Sequence, residues 1–302
     1  MRIALIARLD GLAAHIPTAP VTLGASHLGN HDQPDVLADA LIASEHPVDT
    51  SNNYTNGVSE RLLGEAIARA GGLRDGKLVY SKADADADGT FDGDRIRRSL
   101  DESLERLGLD RLPIYHLHDP YTITFEEAMA PGGAVPALIE LRESGVIGAI
   151  GIASGTMPQV HEYVATGVFD AVLSHNRFTL VDRMAQPTYE LARSLGMTVF
   201  NAAPFGGGTL ANGSASYGYH APPADFAAHL DRVRALATEF DVPLAAAALR
   251  FSIDSDLVDT TVVGIPSLER LSALDALLAT DVPAEFFAAV EALGAPPASG
   301  ND

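Results

Sequence analysis

The chain has 302 residues, 47% of them hydrophobic, with no cysteine and a formal net charge of −20 from 20 basic and 40 acidic side chains. The missing cysteine excludes disulfides, thiolate metal sites and a cysteine nucleophile. The acidic surface repels phosphate backbones and anionic headgroups, so neither nucleic acid nor membrane is expected as a partner, and no apolar run reaches the roughly 20 residues that span a bilayer.

The first segment, MRIALIARLDGLAAHIP, starts like a secretory leader, but Arg8 and Asp10 break its apolar run. No small-residue cleavage site closes it, so it reads as a short N-terminal strand or hairpin of a cytoplasmic protein. Short β-rich apolar segments then alternate with longer stretches of helical period, the mark of parallel βαβ units. The predicted strands are Val21–Gly24, His46–Thr50, Leu78–Lys82, Leu112–His118, Ile147–Ala153, Ala171–His175, Thr198–Ala202 and Thr260–Gly264. Between them lie the amphipathic segments Ser59–Ala70, Asp94–Leu107, Pro136–Ser144, Pro158–Ala165 and Pro187–Leu195. In the second of these, Ile96, Leu100, Leu104 and Leu107 share one helical face. Ser59, Glu60 and Arg61 offer polar groups to the first amides of a helix, while Gly71, Gly72 and Gly145 fall just past helix ends, where a left-handed residue is commonly needed.

The stretch Asn201–Pro223 is long, rich in Gly, Ser and Tyr, and without period, as functional loops often are. The tail Ala295–Asp302 reads as frayed. No linker divides the chain, so residues 1–302 form a single domain. Eight βα units in this length suit a closed (β/α)8 TIM barrel of the α/β class better than an open Rossmann sheet. The first strand runs into GASHLGNHD, which lacks the GxGxxG fingerprint an open dinucleotide-binding sheet places there.

In such a barrel the chemistry sits at the C-terminal ends of the strands. Those ends bring together Asp49, Lys82 and His118, with Tyr54 on the loop after the second strand. A lysine ending the strand KLVYSK points into the mouth and needs a carboxylate there, which Asp49 supplies. The ammonium in turn favours phenolate at Tyr54, lowering its pKa toward the working range of an acid–base catalyst. His118 is placed to donate to a carbonyl oxygen. Each residue alone also has a plainer reading, as an ion pair, a packed ring or a satisfied histidine. The HLHD run at His116–Asp119 lacks the further ligands of a hydrolase metal site, so no metal is expected. The run DADADGTFDGD at Asp84–Asp94 lacks the spacing and closing glutamate of a calcium loop and reads as an acidic, solvated loop.

The stretch DTSNNYTNGVSERLLG, followed by SKAD, RRSLDESLERLGLDRLPIYHLHDP, ELRESGVIGAIGIAS and VVGIPSLERL, resembles the aldo-keto reductase superfamily. SHNRFTLVD, VFNAAPFGGGTL and VPLAAAALRF are similar to the branch of L-galactose, L-fucose (D-threo-aldose) and pyridoxal dehydrogenases. The resemblance implies an NAD(P)-dependent oxidoreductase moving hydride between a nicotinamide and a carbonyl–alcohol pair. Tyr54 is then the acid or base, Lys82 with Asp49 its tuner, and His118 the aligner of the substrate oxygen. It implies cofactor contacts at Gly24, Ala25, Ser154 and Asn176, with Pro204, Phe205, Gly206, Gly264, Ser267 and Arg270 toward the pyrophosphate and adenosine. Three positions depart from the family pattern: Gly155 where an asparagine is usual, Ala202 where a stacking tyrosine is usual, and Pro266 where NADP-preferring members are often basic. Arg270 is the one cation nearby, so NAD is favoured over NADP. The expected substrate is a small carbonyl or alcohol, a sugar hemiacetal first, and the expected state a monomer or weak homo-oligomer. Two alternatives remain: an NADPH-dependent aldehyde or ketone reductase, and a non-catalytic cofactor-binding sensor.

Overall fold

In the computed structural model, which describes residues 16–301, the apolar segments pair in chain order. They are β1 (Val21–Gly24), β2 (Val48–Asp49), β3 (Val79–Ala83), β4 (Tyr115–His118), β5 (Ile150–Ala153), β6 (Ala171–His175), β7 (Thr198–Ala202) and β8 (Thr260–Gly264). All pairings are parallel, and β8 returns to β1 with Val21 opposite Thr261 and Gly24 opposite Gly264, which closes the barrel. Closure removes both sheet edges and leaves one mouth where eight strand ends converge. The proposed N-terminal strand or hairpin falls on residues 1–15, outside the described part. Ile16 sits inside the barrel, and the hydroxyl of Tyr80 donates to the carbonyl of Pro17 at 2.6 Å.

Alternation along the strands sorts the side chains into two layers. Tyr80, Ile114, Ala149, Ala171, Phe200 and Val262 fill the interior, with Tyr80 edge-on to Phe200. Leu23, Val48, Val79, Leu117, Ile152, Val172 and Val199 point outward into the helix layer. The outer ring comprises α1 (Pro34–Ala43), α2 (Val58–Arg69), α3 (Gly93–Leu107), α4 (Phe125–Met129), α5 (Ala134–Glu143), α6 (Met157–Ala165) and α7 (Gln186–Ser194). It continues with α8 (Ala224–Glu239), α9 (Leu244–Ile253), α10 (Leu268–Ala279) and α11 (Ala284–Glu291). In α3 the predicted face is the buried one, with Ile96, Leu100 and Leu107 each at most 1% exposed. Helices α2 and α3 meet backbone to backbone at Gly64, where an added Cβ would lie 1.9 Å from the Arg106 carbonyl oxygen.

Four expectations are corrected. Strands β2, β4 and β5 are shorter than their apolar segments. Pro47 and Pro113 have no N–H to give the ladder, so Leu112 and Ile147 form only an isolated bridge ahead of β4 and β5. Second, α2 opens at Gly57, whose φ of +80° an L side chain adopts rarely, and no side chain caps it. Ser59 instead donates to the Ala25 carbonyl at 2.9 Å, and the buried Glu60 accepts from Ser81 at 2.6 Å and from Arg106 at 3.2 Å. Third, the tail is pinned: Ser299 is buried, and Arg177 donates to the Asn301 carbonyl. Fourth, the acidic run is not wholly a solvated loop, because Asp84 is buried. The expected left-handed residues past helix ends are found at Gly71, Gly72 and Gly145, with φ of +79°, +115° and +81°.

Candidate active site

Strand ends deliver the mouth residues one by one. Asp49 closes β2 and Lys82 lies near the end of β3, and both side chains are almost fully buried. The Lys82 ammonium reaches Asp49 Oδ2 at 2.6 Å, the Thr50 carbonyl at 2.7 Å and the Tyr54 hydroxyl at 3.2 Å. Three acceptors match its three N–H bonds, so the buried cation is satisfied. Burial acts to lower the lysine, but Asp49 and the Tyr54 oxygen outweigh it and hold the ammonium above its ordinary value. Burial likewise pushes the Asp49 carboxyl up, and Lys82 pulls it back.

Tyr54 rides on the loop between β2 and α2. Its ring stands edge-on to His118, with centroids 5.6 Å apart, and carries the Lys82 ammonium 4.6 Å from its own centroid. The expectation of a lowered tyrosine is corrected: burial outweighs the ammonium, Asp49 adds to the upward push, and the phenol rises to about 12. At neutral pH the group is a phenol, suited to giving a proton.

His118, at the end of β4, is held by a residue the motifs did not single out. Its Nδ1 lies 2.7 Å from Oδ1 of Asp84, just past β3, and 3.1 Å from the Ser51 hydroxyl. Asp84 also accepts from the Ser51 hydroxyl and, at 3.0 Å, from the Asn53 amide. Burial raises the Asp84 carboxyl, but His118 and these donors outweigh it, leaving it low. Burial lowers His118, while Asp84 and then Asp119 raise it, for a net upward shift. The neighbouring His116 lies in register with Lys82 and Gly151, fully buried, with neither ring nitrogen hydrogen-bonded. Burial and the charge of Lys82 keep it neutral.

The other predicted positions fall at or just past the ends of β1, β5, β6, β7 and β8 and at the start of α10. Gly24 and Gly264 face each other across the β1–β8 seam, and a Cβ on Gly264 would meet nothing within 4 Å. Ala25 is buried, giving its N–H to the Asp49 carbonyl at 2.9 Å. The Ser154 hydroxyl donates to Tyr121 at 3.0 Å. Asn176, at φ +58°, has a buried Oδ1 with no hydrogen-bond partner among the described residues. Its neighbour His175 fills the space beside Gly155, where a Cβ would lie 2.7 Å from the imidazole. Pro204 is buried and Phe205 packs against both large apolar clusters. Gly206, at φ +56°, leaves room for Tyr217, 2.3 Å from where its Cβ would stand. Ser267 caps α10 by accepting from the Arg270 amide at 3.3 Å, and the Arg270 side chain is exposed beside Glu269.

An orphaned amide oxygen, an open backbone seam and a helix N-terminus with one amide taken by Ser267 fit a long, polar, anionic cofactor. Fold and site together define a closed (β/α)8 barrel with a buried cluster of ionisable side chains at the C-terminal ends of its strands. The chain belongs to the aldo/keto reductase family, whose model matches residues 20–295. D-threo-aldose 1-dehydrogenase from a Pseudomonas species is 30% identical over 91% of this chain and 94% of its own length. L-galactose dehydrogenase from Arabidopsis thaliana is 26% identical over 92% of this chain and 91% of its own. The holo form of aldo-keto reductase AKR11C1 from Bacillus halodurans superposes with a TM-score of 0.72 at 21% identity, over 96% of this chain and 98% of that one. The protein is accordingly an NAD(P)-dependent oxidoreductase of this family, and aldose dehydrogenases are among the proteins it resembles. Among the described residues no helix is long and apolar enough to cross a membrane.

Asp84, Ser51 and His175 were missed from sequence. The signal for Asp84 was its place two residues beyond Lys82, at the rim of the same strand.

Proposed function

We propose that this protein oxidises the hemiacetal carbon of a small sugar, with Tyr54, Lys82, Asp49 and His118 as the reacting mouth. The observation that carries it is the Asp49–Lys82–Tyr54 chain of hydrogen bonds, at 2.6 and 3.2 Å, ending on a phenol with no other hydrogen-bond partner among the described residues. In the reverse, carbonyl-reducing direction the phenol gives its proton to the substrate oxygen, and the resulting phenolate is met by the Lys82 ammonium at once. In oxidation the phenolate takes the hydroxyl proton. A bound nicotinamide supplies or accepts the hydride, and its positive oxidised ring favours the phenolate further.

Asn176 Oδ1 and the Ser154 hydroxyl are the groups suited to hold the nicotinamide amide. The Gly264 seam and the start of α10 suit the pyrophosphate and adenosine. The exposed Glu269 in the first turn of α10 opposes a 2′-phosphate, which supports NAD. A sugar is supported by the polar mouth, where Asp119 and His175 add hydrogen-bonding groups at the rim.

The test is NAD+ reduction with L-fucose, L-galactose and D-arabinose by the wild type and Tyr54→Phe. The variant is expected to lose turnover by at least ~10²-fold, the scale of a lost general acid–base group, while binding NAD+ as tightly as before. Retained turnover with lost NAD+ binding would place Tyr54 in the cofactor site and overturn its role.

A further inference from the structure

We infer that Asp84 is a positioning residue that makes His118 a charged donor toward the substrate oxygen in carbonyl reduction. The inference rests on the reading of the mouth above. It starts from one geometric fact: the carboxylate of Asp84 lies 2.7 Å from Nδ1 of His118. An ionised carboxylate only accepts, so Nδ1 must carry the proton. The Ser51 hydroxyl is itself engaged in donating to Asp84 Oδ2. A neutral imidazole has one N–H, and here Asp84 takes it. The remaining nitrogen, Nε2, is then a lone pair, which repels a carbonyl oxygen. It becomes a donor only when the ring holds a second proton.

The surroundings favour that second proton. Facing His118 are Asp84 from the end of β3, Asp119 with its carboxylate 3.7 Å from Nε2, and the cations or neutral groups Lys82, Tyr54, His116 and His175. Lys82 opposes the charge, but Asp49 neutralises it at 2.6 Å. His116 and His175 are both lowered, by burial first, and stay uncharged. Two carboxylates therefore act on His118 against one lysine already paired. In the reduction step a hydride forms the new C–H bond and the carbonyl π pair moves to oxygen. That oxygen takes the Tyr54 proton, and His118 keeps its own as a hydrogen-bond donor throughout.

The experiment is a ¹⁵N-imidazole NMR titration of the whole protein, with the His118 signals identified by their loss in His118→Gln. The wild type is expected to titrate above the ordinary histidine midpoint of ~6.5, and above its own midpoint to show Nδ1 protonated and Nε2 bare. Asp84→Asn is expected to lower that midpoint by about one to three units, the effect of losing an adjacent charge. In parallel, kcat/KM for NADH-linked reduction of glyceraldehyde is expected to fall on the order of tenfold at pH 7.5 in Asp84→Asn and to recover toward wild type at lower pH. A neutral wild-type ring protonated on Nε2, or an unmoved midpoint in Asp84→Asn, overturns the inference. The wild-type tautomer decides it even where Asp84→Asn fails to fold. It also decides it where glyceraldehyde is not reduced, an outcome that counts against the functional reading alone.

Discussion

Replacing Asp49 with asparagine isolates the electrostatic strain of the mouth. The substitution keeps volume and shape but leaves a buried ammonium with neutral acceptors only, the new amide oxygen, the Thr50 carbonyl at 2.7 Å and the Tyr54 hydroxyl at 3.2 Å. Removing one partner of a buried ion pair typically costs about 3–5 kcal/mol, because the surviving charge is stranded. At about 2–3 °C per kcal/mol for a chain of this size, Tm falls by roughly 6–15 °C at pH 7. The pH dependence has a definite sign. In the wild type Lys82 is held above its ordinary value, so its contribution is in place below that value and is lost only as pH rises through the folded-state pKa. Without Asp49, burial lowers Lys82 below its unfolded value of ~10.4, and the unfolded chain then binds more protons than the folded one. Stability of the variant must therefore rise with pH above neutrality. The assay is urea unfolding of both proteins at intervals from pH 7 to 10, with the gap between them expected to close as pH increases. The double variant Asp49→Leu with Lys82→Met, which removes both charges, should regain most of the lost stability while remaining inactive. An Asp49→Asn protein melting within about 2 °C of wild type at pH 7 would refute the claim that this pair is a coupled, buried charge site.

Gly64→Ala should destabilise by about 1–3 kcal/mol or more, because its methyl would meet the Arg106 carbonyl oxygen, at 1.9 Å, and backbone cannot rotate away; the shift in urea midpoint reads it. Glu269→Lys should raise the NADP+ to NAD+ ratio of kcat/KM on the order of fivefold, equivalent to the ~1 kcal/mol available to an exposed charge pair. An unchanged ratio would move recognition of the adenosine ribose away from the start of α10.

The barrel was legible because all eight strands announced themselves as short apolar segments and five of the helices, α2, α3, α5, α6 and α7, by their stripes, and because ionisable residues stood at the strand ends. What was not legible depends on partners far away in sequence. Asp84 sits in DADADGTFDGD, where alternating Asp and Ala make every carboxylate look alike. Only its position 2.7 Å from His118 Nδ1 separates it from Asp86 and Asp88, which accept from the Thr90 amide at 2.8 and 3.1 Å. Ser59 and Glu60 fit a helix-start pattern, but the left-handed Gly57 ahead of them frees both side chains to bind the barrel wall instead. The tail has the composition of a frayed end, and its anchor, Arg177, is 124 residues away. The tyrosine shift was misjudged for a related reason: proximity of Lys82 is readable from strand order, but the depth of burial that outweighs it is not.

The precision required of Tyr54 explains the polar network behind it, which has no direct part in the chemistry. Tyr54 belongs to a loop, and loops hold geometry less well than strands do. Here Thr55, Asn56 and Gly57 all take positive φ, at +52°, +56° and +80°, which fixes a tight path into α2 at a steric cost for the two non-glycine residues. Helix α3 holds that path from outside. Arg106 donates to the Asn52 carbonyl at 2.9 Å, and Arg95 donates to the Asn52 side-chain oxygen and to the Asp84 carbonyl, each at 2.9 Å. Glu102 closes the set by accepting from Arg95 at 2.9 Å and from Asn52 at 3.1 Å. One clamp thus sets both the loop that carries the phenol and the backbone that carries the partner of His118. The two groups proposed to meet the substrate oxygen are positioned by the same helix before any substrate arrives, so little of the binding energy is needed to assemble them.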